Sequence, residues 1–151
     1  MLLKQDFYFN SLGANRPLHI RVPDHGDGLF PVMYFFDGHN LFRDEDATYG
    51  KSWGLDSYMS TWDKQLIIVG VECAHEGNRR LSEYLPYGRD SGWLKGIEPL
   101  GEATMQGIVY ELKPYIAVYR LGVSGHAFPR VHRDRRLEHG RPNVGLCTCK
   151  I

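Results

Sequence analysis

Two near-continuous apolar runs do most to limit what this chain can fold into: Phe30-Pro31-Val32-Met33-Tyr34-Phe35-Phe36 and Gln65-Leu66-Ile67-Ile68-Val69-Gly70-Val71. The first stops abruptly at Asp37-Gly38 and the second at Glu72-Cys73. Unbroken apolarity, as opposed to alternation, fits a strand covered on both faces, as in the middle of an α/β sheet. Between the runs, Leu55, Tyr58, Met59 and Trp62 recur at i, i+3, i+4, i+7 and predict a helix with one apolar face. Beyond a long loop over 74–100, Met105, Ile108, Val109, Leu112, Ile116 and Tyr119 continue that period, and Pro114 predicts a kink or restart within it. Upstream, Phe7, Phe9 and His19-Ile20-Arg21-Val22 alternate like half-buried strands, with Asn15-Arg16-Pro17 as the turn between them and Pro23 to Gly28 as a loop. Strands alternating with helices predict an α/β fold with a largely parallel sheet. Such folds take ligands at the loops that follow strands, here after Phe36 and after Val71.

The chain's 151 residues suit one domain, and a hydrophobic fraction of 42% excludes a disordered, collagenous or coiled-coil chain. Eighteen basic residues balance eighteen acidic ones, so no net charge draws the chain to nucleic acid or an anionic membrane. The longest apolar run, Leu66 to Val71, is too short to span a bilayer. Met1-Leu2-Leu3-Lys4 lacks a signal peptide's apolar segment, so a cytoplasmic address is expected. Cys73, Cys147 and Cys149 suit no disulfide framework.

The charge is not evenly spread. Residues 1–120 carry 12 Lys and Arg against 16 Asp and Glu, whereas residues 121–151 carry 6 against 2. The second segment scatters His126, His132, His139 and Arg133-Asp134-Arg135-Arg136 among glycines and prolines, with no sustained helical or strand period. The expected organisation is therefore a domain over 1–120 and a basic tail over 121–151.

Within the first segment, Tyr34-Phe35-Phe36-Asp37-Gly38-His39-Asn40-Leu41-Phe42 resembles the strand-then-DGxNLF segment of an esterase family of the α/β-hydrolase superfamily, which includes the enterochelin-esterase and esterase D types. Four further stretches agree in order and spacing: Ser52 to Asp56, Ile67 to Glu72, Arg79 to Pro86, and Glu111 to Ile116. The resemblance covers roughly 30–120. It implies serine esterase chemistry: a nucleophile on a G-x-S-x-G elbow followed in the chain by an acid and a histidine, attacking carboxylic esters through an acyl-enzyme. It implies no cofactor and no metal.

The tail departs from that pattern. After the Pro114 helix, where the family's elbow belongs, Gly122-Val123-Ser124-Gly125-His126 comes closest, with His in place of the second glycine and no apolar strand before it. The expectation is a scaffold cut off before its nucleophile elbow, with catalytic Ser, acid and His absent and the chain inactive. A shifted reading frame accounts for the break. Joining the last two bases of each codon from His132 to Thr148 with the first base of the next can spell T-G-I-A-G-S-S-M-G-G-L-M-S-A-Y-A-L, a family-like strand, elbow and helix. The tail is then a frameshifted segment, from sequencing error or a pseudogene, with an unstructured arm as the alternative.

Candidate residues follow from the resemblance. Gly38, His39 and Asn40 stand where the family builds part of its oxyanion hole, with the His39 N–H as the leading donor. The plainer reading is a strand-terminating turn. Arg80, Glu83 and Tyr84 fall in the region that lines the family's substrate pocket, with Arg80 suited to a carboxylate. Alternatively Arg80 and Glu83, three apart, pair with each other. Trp53 either covers the pocket mouth or packs at a helix start. Arg43-Asp44-Glu45-Asp46 reads as a solvated turn, His75-Glu76 and Cys147-x-Cys149 complete no tetrahedral ligand set, and Cys73 reads as a small buried residue. The expected partner is a small-molecule ester in the intact parent, with no nucleic acid and no membrane. The competing function is a non-catalytic ligand- or partner-binding protein on the same half-fold. An Arg-rich tail touching phosphates is weakened by Asp134 and Glu138 and by the shortage of aromatics for stacking.

Overall fold

The computed structural model describes residues 1–24, 29–89 and 91–120, with side chains up to residue 117. The tail, including Ser124 and the shifted-frame stretch, lies outside the described residues. The elements run β1 (Leu2–Phe9), β2 (Ala14–Arg21), β3 (Val32–Phe36), a 3-10 turn (Gly38–Asn40), α1 (Leu55–Thr61), β4 (Ile67–Val71), α2 (Arg79–Tyr84), and a long helix. That helix is α3 (Gly101–Gln106), a π-helical stretch (Gly107–Leu112) and α4 (Lys113–Arg120). None of the helices in the described residues is long and apolar enough to cross a membrane.

The four strands form one mixed sheet in the order β1-β2-β4-β3. The β1–β2 and β2–β4 pairs are antiparallel, and β3–β4 is parallel, from Val32 opposite Ile67 to Phe36 opposite Val71. The two apolar runs therefore lie side by side as a crossover unit, but the sheet is not largely parallel. An N-terminal hairpin supplies its other half.

β4 is the central strand the sequence predicts, buried at all five positions. Ile67, Val69 and Val71 join Leu18, Ile20, Phe9, Leu112 and Ile116 in a core beneath the long helix. Ile68 points the other way, into a second cluster with Leu41, Phe42, Met59 and Leu66 under α1. Helices on both faces are the reason β4 needs no polar residue. β3 departs from expectation: it is an edge strand among the described residues, with Met33 and Phe36 nearly half exposed.

The hairpin turn also differs. It spans Asn10 to Gly13, with Gly13 at φ 60 and its N–H on Asn10 O at 3.2 Å, and Asn15-Arg16-Pro17 lies inside β2. Pro17 is tolerated there because its carbonyl, accepting from Glu72 N–H at 3.0 Å, faces β4. The missing N–H faces the same way, at the end of that ladder, so the β1 pairing loses nothing.

The break in the long helix falls before Pro114. Lys113 N–H reaches back five residues to Ile108 O, the bond of a π turn. Widening the turn there relieves the proline ring's clash with the preceding carbonyls. The extra residue rotates the buried face, which passes through Thr104, Gly107, Leu112 and Ile116 and leaves Met105 and Val109 exposed. In α1, Met59 is buried as predicted, whereas Tyr58 is exposed.

Candidate functional site

Because β3 and β4 run parallel, their C-terminal ends emerge together and bring Asp37–Asn40 beside Glu72–His75. A close backbone approach fixes the two loops. A Cβ on Gly38 would sit 2.5 Å from the carbonyl carbon of Gly70, and one on Gly70 would sit 2.7 Å from Gly38 Cα. No side chain fits at either position without moving backbone, so both glycines are dictated by the contact. Asp37 before them is in the left-handed region at φ 53, the one non-glycine with positive φ among the described residues. Such a conformation costs about 1 kcal/mol or more and must be held in place.

The hold comes from α2. Arg80 grips the Asp37 carboxylate with two bonds, Nε to Oδ1 at 3.1 Å and Nη2 to Oδ2 at 2.6 Å. Tyr84 Oη donates to Asp37 Oδ1 at 2.9 Å and accepts from the Asp37 N–H at 3.3 Å. Burial works to raise the Asp37 pKa, but the bonds from Arg80 and Tyr84 outweigh it and hold the carboxyl below its ordinary value. Arg80 also stacks on the Tyr84 ring at 4.9 Å.

Glu83 pairs with neither Arg80 nor solvent. It is buried, binds the Arg16 guanidinium from β2, and accepts the Ala74 N–H at 3.1 Å. It thereby ties the loop after β4 to the hairpin. Trp53 is mostly exposed, and its backbone N–H donates to Asn40 O at 2.8 Å. Asn40 Oδ1 accepts from the Thr48 N–H at 3.0 Å. In the 3-10 turn, Asn40 and Leu41 donate back to Asp37 and Gly38, leaving the N–H groups of Gly38 and His39 outside the turn's own bonds.

His39 is buried, with Nε2 2.9 Å from Thr48 Oγ1, and Nδ1 has no partner among the described residues. Burial lowers its pKa, favouring the neutral ring. Its ring meets His75 edge-on at 4.9 Å. Glu72 receives His19 Nε2 at 2.6 Å and His75 Nε2 at 3.1 Å. Burial opposes the Glu72 charge, but these bonds bring its pKa down to about 2. Burial, then the adjacent Asp37, push the Cys73 thiol up to about 11.

One feature escaped the sequence reading. Gly50-Lys51-Ser52-Trp53-Gly54 is a G-x-S-x-G match, and it correctly precedes a helix. It follows a loop, not a strand, and Ser52 Oγ donates to Asp44 Oδ1 at 2.8 Å. That makes it a loop brace, without the strand-to-helix elbow that exposes a nucleophile.

No family model matches the sequence, and no curated protein matches it. Solved structures do match the fold. The BES protein from Bacillus cereus aligns at TM-score 0.56 and 25% identity, over 78% of this chain and 46% of that one. An IroE-like serine hydrolase from Shewanella oneidensis aligns at 0.57 and 20%, over 79% and 39%. The enterobactin esterase FES from Shigella flexneri aligns at 0.52 and 13%, over 80% and 27%. The chain shares the fold of these structures. It spans less than half the length of each of these structures. In this scaffold, Gly38, His39 and Asn40 form the turn at the β3 end, and Arg80 and Tyr84 hold that turn from α2.

Proposed function

We propose that residues 1–120 are the front of a serine ester hydrolase domain, which acts on small carboxylic esters by nucleophilic acyl transfer. The observation that carries this reading is the Gly38–Gly70 backbone contact, which seats the Asp37–Asn40 turn at the strand ends. Fixed N–H donors past a strand end suit a developing oxyanion, and the Gly38 and His39 N–H groups are assigned that role. Arg80, Tyr84, Glu83 and Trp53 belong to the wall and support of the acyl or alcohol pocket. The nucleophile, acid and histidine belong to the part of the fold beyond residue 120, and the tail over 121–151 is a shifted-frame rendering of its beginning. As written, the chain is therefore inactive.

The test is hydrolysis of an aryl ester by the purified chain. The rate is expected to equal that of the Ser124→Ala and Ser52→Ala variants. Activity lost in either variant would reveal a nucleophile within this chain and overturn the reading.

A further inference from the structure

The ends of β3 and β4 gather more than backbone donors. One ring nitrogen each of His39 and His75, and Cys73 Sγ, all lie within 4.8 Å of one another. Each histidine has Nε2 engaged by an outer partner: Thr48 Oγ1 for His39 and the Glu72 carboxylate for His75. The arrangement leaves Nδ1 of each ring for a ligand. At His39 that nitrogen has no partner among the described residues, on a residue only 5% exposed and next to the His75 ring. Buried polar atoms are rarely left unpaired without a reason, and an imidazole whose far nitrogen is held by a carboxylate or hydroxyl is a common metal ligand.

We propose that His39 Nδ1, His75 Nδ1 and Cys73 Sγ bind one divalent cation of the zinc class, with a fourth position open to water. Two imidazoles and a thiolate select a borderline-soft ion over calcium or magnesium. Ligand atoms around a tetrahedral zinc stand roughly 3.5 Å apart, so the trio must close by about 1 Å. His75 is the exposed member of the trio and the one with room to move. Cys73, whose thiol hydrogen-bonds the Asp37 carboxylate, binds as thiolate; the metal must outweigh the burial that keeps the thiol protonated, and the displaced proton leaves to solvent. Glu72 orients His75, and the buried pair with His19 fixes Glu72 in turn. The site needs no nucleophile and is independent of the ester-hydrolase reading.

Cobalt(II) added to the full 151-residue chain reads the site. One ion per chain is expected, with a thiolate-to-cobalt charge-transfer band that zinc displaces. Cys73→Ser abolishes the band, while the Cys147→Ser/Cys149→Ser double variant keeps it. His75→Gln, at an exposed position that leaves the circular dichroism unchanged, weakens binding by about tenfold or more. Absence of a thiolate band, its survival in Cys73→Ser, its loss in the Cys147/Cys149 variant, or unchanged affinity in His75→Gln would each overturn the proposal.

Discussion

Gly38 and Gly70 are the residues on which the strand-end geometry turns. Gly38→Ala drives a Cβ against backbone that cannot rotate away, and the expected loss is about 3 kcal/mol, at the upper end of overpacking effects. Gly77→Ala, at φ 51 in open space, is expected to lose about 1 kcal/mol. Urea midpoints compare the two, and a Gly38→Ala loss no greater than that of Gly77→Ala would show that the backbones do not touch. Glu83→Ala leaves the Arg16 charge buried alone, with an expected loss of about 3–5 kcal/mol on the same measurement. Sequence alone placed Gly38 at a turn but could not explain Gly70, since the reason for each glycine is the other. Likewise the Asp37–Arg80 pair spans 43 positions, so Arg80 read equally well as a ligand for substrate or for Glu83.

At the scale of elements, legibility followed how local the physics is. β4 was readable because burial on both faces imprints its own composition. β3 carries the same imprint, yet stands at an edge among the described residues, so composition alone did not give its place in the sheet. The long helix was readable in extent but not in phase, because one π turn rotates the buried face. Its docking onto the hairpin rests on Glu111, whose carboxylate accepts from the Asn10 N–H at 2.6 Å, Asn10 Nδ2 at 3.0 Å and the Ser11 N–H at 2.9 Å. Glu111→Gln is expected to lose about 1–2 kcal/mol. Burial opposes the Glu111 charge, but the bonds from Ser11 and Asn10 prevail and hold its pKa below the ordinary 4.5. A carboxylate depressed in the folded state stabilises fully above its unfolded value and loses that contribution as pH falls through its folded one. The gap between parent and Glu111→Gln should therefore be largest at neutral pH and shrink below 4.5; a gap that does not change across that range would rule out this coupling.

For the whole molecule, β3 at the sheet edge among the described residues, with its apolar Met33 and Phe36, makes self-association the expected behaviour of the chain. Phe36→Lys should reduce aggregation in light scattering, whereas equal scattering would place the sticky surface elsewhere. The proposed origin of the compositional break near Arg120 is an ester-hydrolase scaffold whose elbow is written in another frame. The nucleotide sequence over codons 132–148 tests this most directly. A GAG codon at Glu138 before the CAY of His139, within an open shifted frame that spells G-S-S-M-G, is the expected result. A GAA codon at Glu138 would remove the serine from that frame and contradict it.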